Sequence, residues 1–395
     1  MQHSADDPAD LALHRSRYAN FPEFDLALRT LEARRKLRAK LPSWVDIPSL
    51  RFPYPLAAEQ CSSEETAAYK ASILASGARV ADLTGGMGAD AAAFAALGGE
   101  VLYNDMRPDL VEAARHNFAE LGIGNVRFSC AEVSPGSIGS ILGEFKAGVV
   151  FLDPARRDSA GGKVFRIADC SPDVTALLPE LFLHVRFVLL KLSPMLDISL
   201  GAKELGSCVK EVHCVGAGGE CKELLFLLDR EYSGDYSITV YENGKRFCFN
   251  PLEEIAAVAS YGCNSGPMLF APGKALLKSG CFKLLSQRFN LRKAGVNTHL
   301  YLADVAVVDL APFGKWFRIE ETAALDKRGI RDFGTRYPGA DVTARGVHFT
   351  SEELKKRLAS YGGKVTEPAG MHIFAVHDDG SGKNLMIAAI PAKQD

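Results

Sequence analysis

The segment Ala81-Asp82-Leu83-Thr84-Gly85-Gly86-Met87-Gly88-Ala89-Asp90 puts a carboxylate beside three closely spaced glycines. A short apolar run, 78–83, precedes it and an Ala-rich run, 90–97, follows it. That order predicts a strand, a tight turn and a helix. Glycines in such a turn let a ligand approach the backbone without a Cβ in the way. Gly86-x-Gly88-x-x-Ala91 also meets the loose dinucleotide fingerprint, with Asp105 at the expected distance. Asp82 decides between the readings. A carboxylate at the strand tip would repel a pyrophosphate and attract the ammonium and sulfonium of S-adenosylmethionine. S-adenosylmethionine is therefore the expected cofactor, held by Asp82, Thr84, Gly85, Gly86 and Gly88.

Asp105, followed by Met106, lies just past a second predicted strand and can accept both ribose hydroxyls. Glu132 lies just past a third, within reach of the adenine amino group. Any one of these acids is more simply a helix cap or a surface charge. The three at successive strand tips favour the ligand by roughly ten to one.

The elements that must position these residues alternate. Strands are predicted at 78–83, 100–104, 126–130, 148–152 and 187–192, with helices at 63–76, 90–97, 107–121 and 172–183 between them. Strands at 211–215 and 224–229 close the series through a short Gly-rich loop. Ser62-Ser63-Glu64-Glu65 fits a capping box, and Ser171-Pro172 fits an N-cap followed by Pro at the first helical position. The expected fold is α/β, a Rossmann-like seven-stranded sheet centred on 78–230. An N-terminal helical segment (8–40) and a Pro- and aromatic-rich linker (43–58) precede it, and a C-terminal α+β module follows it. The module opens with a hairpin through Asn243-Gly244, includes strands at 305–310, 372–376 and 385–390, and has a capped helix at Thr350. The expected boundaries are 1–58, 59–232, 233–320 and 321–395.

The glycine segment resembles motif I of class I methyltransferases. Over nearly the whole chain the sequence is similar to bacterial methyltransferases with a THUMP-like C-terminal domain. The likeness is carried by Glu59-Gln60-Cys61-Ser62-Ser63-Glu64, Asp82 to Gly88, Asp153-Pro154-Ala155-Arg156-Arg157 and Lys327 to Gly334. It implies a ferredoxin-like and THUMP-like C-terminal half and an RNA substrate, tRNA or rRNA.

Asp153, Pro154 and Arg156 follow the fourth strand, where transfer would occur. The first two match the Asn/Asp-Pro-Pro-aromatic motif of base-amine methyltransferases, while Ala155 and Arg156 leave no aromatic to stack. The segment is also similar to the Asp-Pro-Pro-Arg of 5-methyluridine enzymes, but Lys191-Leu192-Ser193-Pro194 stands where those carry a nucleophilic Cys. Ser193 is too weak a nucleophile without a base. The expectation is direct in-line transfer to a nitrogen or oxygen, with Asp153 as acceptor or base. Arg156, Arg157 and Lys163 are candidate phosphate contacts, although Arg156 or Arg157 could instead pair with Asp158. Lys191 fits either a buried pair to Asp153 or a substrate contact. His184 and His213 read as core residues.

The net charge of −2 hides segregation. Residues 29–40 carry six Lys or Arg and one Glu, and 271–357 carry sixteen Lys or Arg against nine Asp or Glu. Such patches suggest a polyanion contact, and a solvated surface is about as good a reading of either alone. Lys327, Arg328, Arg331 and Arg336 are the local candidates for RNA contact, and Gly329 and Gly334 between them would permit close backbone approach. Phe282, Phe289, Tyr301, Trp316, Phe317, Phe333 and Tyr337 are candidates for stacking or for the core. Nine Cys with no C-x-x-C pair argue against a metal site and for free thiols in a reducing cytoplasm. No apolar run is long enough to span a membrane, and the N-terminus lacks a signal-peptide pattern. The alternatives are a methyltransferase of a small molecule or protein, and a non-catalytic cofactor- or RNA-binding protein.

Overall fold

The computed structural model describes residues 8–156, 166–263, 266–362 and 370–392. The chain divides into two units. One runs to Val212 and includes Leu224–Asp235; the other is His213–Glu223 with Tyr236 onward.

In the first unit, strands β1 (Val80–Asp82), β2 (Val101–Asp105), β3 (Val126–Cys130), β4 (Val149–Leu152) and β5 (Phe187–Leu192) are parallel. Strands β6 (Val209–Ala217) and β7 (Glu220–Asp229) complete the order β3-β2-β1-β4-β5-β7-β6. Within this unit Leu224–Asp229 of β7 runs antiparallel to β5. β1 and β4 are buried throughout, as expected of central strands covered on both faces. The order reverses direction at β1, so the crevice beyond the tips of β1, β2 and β4 is the natural ligand site.

The unit's helices are α1 (Pro8–Leu13), α2 (Phe24–Leu37), α3 (Pro42–Val45), α4 (Pro55–Gln60), α5 (Glu64–Ala71), α6 (Ala89–Ala95), α7 (Pro108–Glu120), α8 (Ile138–Leu142), α9 (Val174–His184) and α10 (Ile198–Leu205). α7 starts with Pro108 at its first position and buries Leu110, Val111, Ala114 and Phe118. Two caps differ from expectation. α5 is closed reciprocally by Ser63 and Thr66, because Thr66 rather than Glu65 stands three residues past the cap. α9 is capped by Asp173, whose carboxylate accepts from the N–H of Thr175 and Ala176, two residues beyond the expected Ser171. The expected linker contains α3 and α4. α8 and α10 were not expected.

The basic segment 29–40 is partly structural. The Arg34 guanidinium donates to the carbonyls of Val45, Ile47, Pro48 and Leu50, and its burial lowers its pKa. Lys36 pairs with Glu59 at 2.7 Å, and Lys40 donates to the carbonyls of Glu59 and Cys61.

The second unit begins with the hairpin β8 (Ser237–Glu242) and β9 (Lys245–Phe249), turning through Asn243 and Gly244, both at positive φ. Its helices are α11 (Pro251–Ala256), α12 (Lys274–Lys278), α13 (Lys283–Arg288), α14 (Lys327–Arg336) and α15 (Ser351–Ala359). Its main sheet comprises β10 (Ser260–Tyr261), β11 (Met268–Pro272), β12 (Arg292–Gly295), β13 (Thr298–Ala303), β14 (Gly314–Ala324), β15 (Asp341–Arg345), β16 (His372–Asp378) and β17 (Lys383–Pro391), in the order β10-β12-β13-β11-β14-β17-β16-β15. Ile373, Ala375, Met386 and Ala388 pack with Ile330, Phe333, Leu354 and Leu358 of α14 and α15. Phe374, Val376, Ile387 and Ala389 belong to a second cluster with Leu269, Leu300, Leu302 and Phe317, as the two-residue strand period requires. The expected strand at 305–310 is absent; Val308–Phe313 forms a 3-10 helix.

Candidate active site

The turn after β1 is shaped by side chains from the neighbouring elements. A Cβ on Gly85 would sit 2.2 Å from the Tyr103 ring, and Gly88 has φ +85° with Phe118 2.9 Å from its Cβ position. Only glycine fits either place. The Tyr103 hydroxyl donates to the Gly86 carbonyl at 2.7 Å. Asn104 Nδ2 donates to the carbonyls of Leu83 and Ala131, and its Oδ1 accepts from Ala131 N–H, so one side chain ties together the tips of β1, β2 and β3.

Asp82 is buried at the floor of this turn. Its Oδ1 accepts from Thr84 N–H at 3.1 Å, and its Oδ2 is buried with no hydrogen-bond partner. Burial, then Asp90, with smaller contributions from Asp153 and Asp105, push its pKa well above the usual carboxylate range. A buried carboxylate oxygen without a donor is costly unless a cation reaches it. The ammonium or sulfonium of the expected cofactor fits that requirement. Asp105 Oδ2 accepts from Gly86 N–H and Oδ1 from Arg107 N–H, each at 2.9 Å. The remaining lone pairs of this half-buried carboxylate are free for ligand hydroxyls. Arg107 lies over the Tyr54 ring at 3.7 Å and forks onto Asp109, bracing the turn. Met106 and Glu132 are exposed at the tips of β2 and β3.

The β4 tip is joined to this turn. Asp153 N–H donates to Thr84 Oγ1 at 2.7 Å. Asp153 Oδ2 is 2.5 Å from Lys191 Nζ on the adjacent strand β5, which favours the ion-pair reading of Lys191. Pro154 is buried, and Ala155–Arg156 pairs with Cys170–Ser171. The side chain of Arg156 and all of Arg157, Asp158 and Lys163 lie outside the described residues. Ser193 Oγ accepts from Met195 N–H, a turn role rather than a nucleophile's.

A buried group beside Asp82 had no signature in the sequence. Lys70, fully buried on α5, donates to Ser62 Oγ at 3.0 Å and pairs with Asp90 at 3.2 Å, while Ser62 donates to Asp90 Oδ2 at 2.8 Å. Ser62 and Lys70 stand 8 residues apart, and Asp90 lies 28 beyond Ser62, brought to them by the fold. Cys61, next to Ser62, has its thiol pushed up to about 11 by burial, so it supplies no thiolate near neutral pH.

The candidate RNA residues form helix α14, capped by Asp326. Lys327, Arg328, Arg331 and Arg336 are on its exposed side, with Arg336 paired to Glu321 and Asp332 close to Arg328 and Arg331. The glycines of this segment do not serve ligand approach. A Cβ on Gly329 would lie 2.0 Å from the Ala324 carbonyl oxygen, and on Gly334 2.5 Å from that of Leu358. Tyr301, Trp316, Phe317 and Phe333 are buried core rings, unavailable for stacking bases. His184, expected in the core, is instead exposed on the last turn of α9, 3.1 Å from Glu180, whereas His213 is buried as expected. Among the described residues no group of three or more His, Cys, Asp or Glu is arranged to hold a metal.

Comparison with known proteins defines the class. The chain is 25% identical over 316 residues to uncharacterized S-adenosylmethionine-dependent methyltransferases of Mycobacterium tuberculosis strains CDC 1551 / Oshkosh and ATCC 25618 / H37Rv, covering 78% of this chain and 81% of each relative. A crystal structure of a candidate methyltransferase from Porphyromonas gingivalis W83 matches it with a TM-score of 0.85 and 27% identity, over 99% of this chain and 96% of that one. Residues 269–310 match a ferredoxin-like domain family. The fold and these homologues define an S-adenosylmethionine-dependent methyltransferase with a ferredoxin-like domain in its C-terminal half.

Proposed function

We propose that this methyltransferase acts on RNA, transferring the methyl group directly to a nitrogen or oxygen of a tRNA or rRNA in the cytoplasm. The observation that carries the cofactor site is the orphaned, buried Oδ2 of Asp82, flanked by Asp105 and Asp153 at neighbouring strand tips. Asp82 would hold the cationic methionine end of S-adenosylmethionine, Thr84 and Gly85 to Gly88 would line its path, Asp105 the ribose, and Met106 and Glu132 the adenine side. When bound, the cofactor supplies an electrophilic methyl group. Asp153 accepts a hydrogen bond from the acceptor nitrogen or oxygen and takes its proton, while Lys191 fixes the carboxylate's orientation. Pro154 shapes the acceptor's entry, and Arg156 is the second candidate there.

The RNA reading is supported by the exposed cations Lys327, Arg328 and Arg331 on α14 and by the basic balance of 271–357. The burial of the module's aromatics favours the competing reading, a small-molecule or protein acceptor. Incubating the protein with labelled S-adenosylmethionine and total cellular RNA, followed by nucleoside mass spectrometry, separates the two. Label in a specific modified nucleoside supports RNA; label confined to protein or small molecules removes it.

A further inference from the structure

The second unit contains a cavity of about 740 Å³, the size of a small-ligand site. Its walls come from several strands. Register places Asp341 beside His372 and Thr343 beside Phe374, and the alternation of β15 brings Arg345 to the same face. Lys315 and Phe317 reach the cavity from β14, and His299 from β13. α14 and α15 pack with the opposite residues of β16, so this cavity is distinct from the basic face of α14.

Its chemistry is uneven. Lys315 and Arg345 are exposed and, among the described residues, have no carboxylate within ion-pair distance. Of the nearby carboxylates, Glu220 is paired with Lys274 at 2.5 Å and Asp341 with Lys355 at 2.9 Å, while Glu242 is buried on the Gly273 side of the cavity. The imidazoles are neutral near pH 7. Burial, then Lys293 and Arg345, lower His299 to about 4; burial lowers His372, opposed by Asp341 and reinforced by Lys315 and Lys355. His299 stacks on Phe282 with centroids 3.7 Å apart, and its Nδ1 is buried with no partner. His372 stacks on Phe374 at 4.3 Å and its Nε2 is 2.8 Å from Thr343 Oγ1. The cavity thus offers two cations without counter-ions among the described residues, the face of the His372 ring backed by Phe374, and an unused ring nitrogen.

We infer that this cavity binds a single nucleotide, with Lys315 and Arg345 on its phosphate and the part-exposed His372 ring, backed by the buried Phe374, against its base. Cations without partners recognise the anion, and stacked rings tolerate any base. The same chemistry is presented by a free mononucleotide and by an unstacked nucleotide of RNA. The inference does not require the RNA reading above.

The test is calorimetry on the full chain with AMP, GMP, CMP and UMP, with adenosine and inorganic phosphate as partial probes. Mononucleotides should bind at least tenfold more tightly than adenosine or phosphate. Lys315→Ala with Arg345→Ala should weaken them at least tenfold while leaving S-adenosylhomocysteine affinity within twofold, which also reports that the variant is folded. His372→Ala should weaken mononucleotides and leave phosphate unchanged. Competition by a short single-stranded RNA would assign the site to RNA, and competition by mononucleotides alone to the free nucleotide. Equal affinity for AMP and adenosine, no measurable nucleotide binding, or an undiminished double variant would overturn the inference. RNA methylation persisting in the double variant would leave the methyltransferase reading standing without it.

Discussion

The backbone N–H of Asp153 donates to the Thr84 hydroxyl at 2.7 Å, linking the tip of β4 to the glycine turn after β1. The residues expected to hold the cofactor and to receive the methyl acceptor are therefore set against each other by one hydrogen bond. Thr84→Val removes the acceptor while keeping the shape. It should lower kcat about tenfold and leave cofactor affinity within a few-fold, because small displacements of a reacting group are costly. Asp153→Ala should lower transfer by about a hundredfold or more with cofactor binding nearly intact. Single-turnover rates and titrations with S-adenosylhomocysteine check both, and Ser193→Ala should be close to wild type in the same assay.

The Lys70–Asp90 pair makes a double-mutant prediction. Removing either partner leaves a buried charge without compensation, a loss of about 3–5 kcal/mol. Lys70→Met and Asp90→Asn together should recover much of that loss. Denaturant unfolding of the four proteins measures it, and strictly additive losses would show that the two residues act independently.

Asp82 gives a pH dependence whose sign follows from its raised pKa. Between its unfolded and folded values the native state binds the extra proton, so the stability of the cofactor-free protein falls as pH rises through that window. Affinity for a cationic ligand should instead rise with pH, as the carboxylate becomes charged. Melting curves and S-adenosylmethionine titrations across the same pH series should move in opposite directions in wild type, and both trends should flatten in Asp82→Asn.

On α14, Lys327→Ala with Arg331→Ala should weaken RNA binding at every sequence without altering the melting temperature. The salt slope should fall by roughly one for each phosphate no longer neutralised. Gly329→Ala should do the reverse, destabilising the module because its Cβ meets the Ala324 carbonyl. Filter binding at several salt concentrations, with parallel melts, tells the two effects apart.

The parallel strands and the turn after β1 were legible because their signals are local: a short apolar run, glycines and an acid at each tip. The Ser62–Asp90–Lys70 group was not, because nothing in the spacing of its members marks their proximity. α10 carries a readable cap, Asp197 accepting from Leu200 N–H, but follows Ser193-Pro194 in a stretch that reads as a loop. Gly329 and Gly334 read as points of close approach for a ligand because a helix interior normally disfavours glycine. Here the cost is offset by close packing that no larger residue allows. The aromatics of 282–337 could not be divided between surface and core until the strands fixed which faces Tyr301, Trp316 and Phe317 occupy.

The orphaned Oδ2 of Asp82 and the carboxylate of Asp105 beside the glycine turn are the groups on which cofactor binding should depend most. Calorimetric titration of S-adenosylmethionine, S-adenosylhomocysteine and NAD into wild type, Asp82→Ala and Asp105→Ala tests it. Both S-adenosyl ligands should bind wild type and NAD should not, and each substitution should weaken binding by about 1–3 kcal/mol, the range for losing a hydrogen bond to a charged group. Undiminished affinity in both variants, or preference for NAD, would contradict the assignment of this crevice.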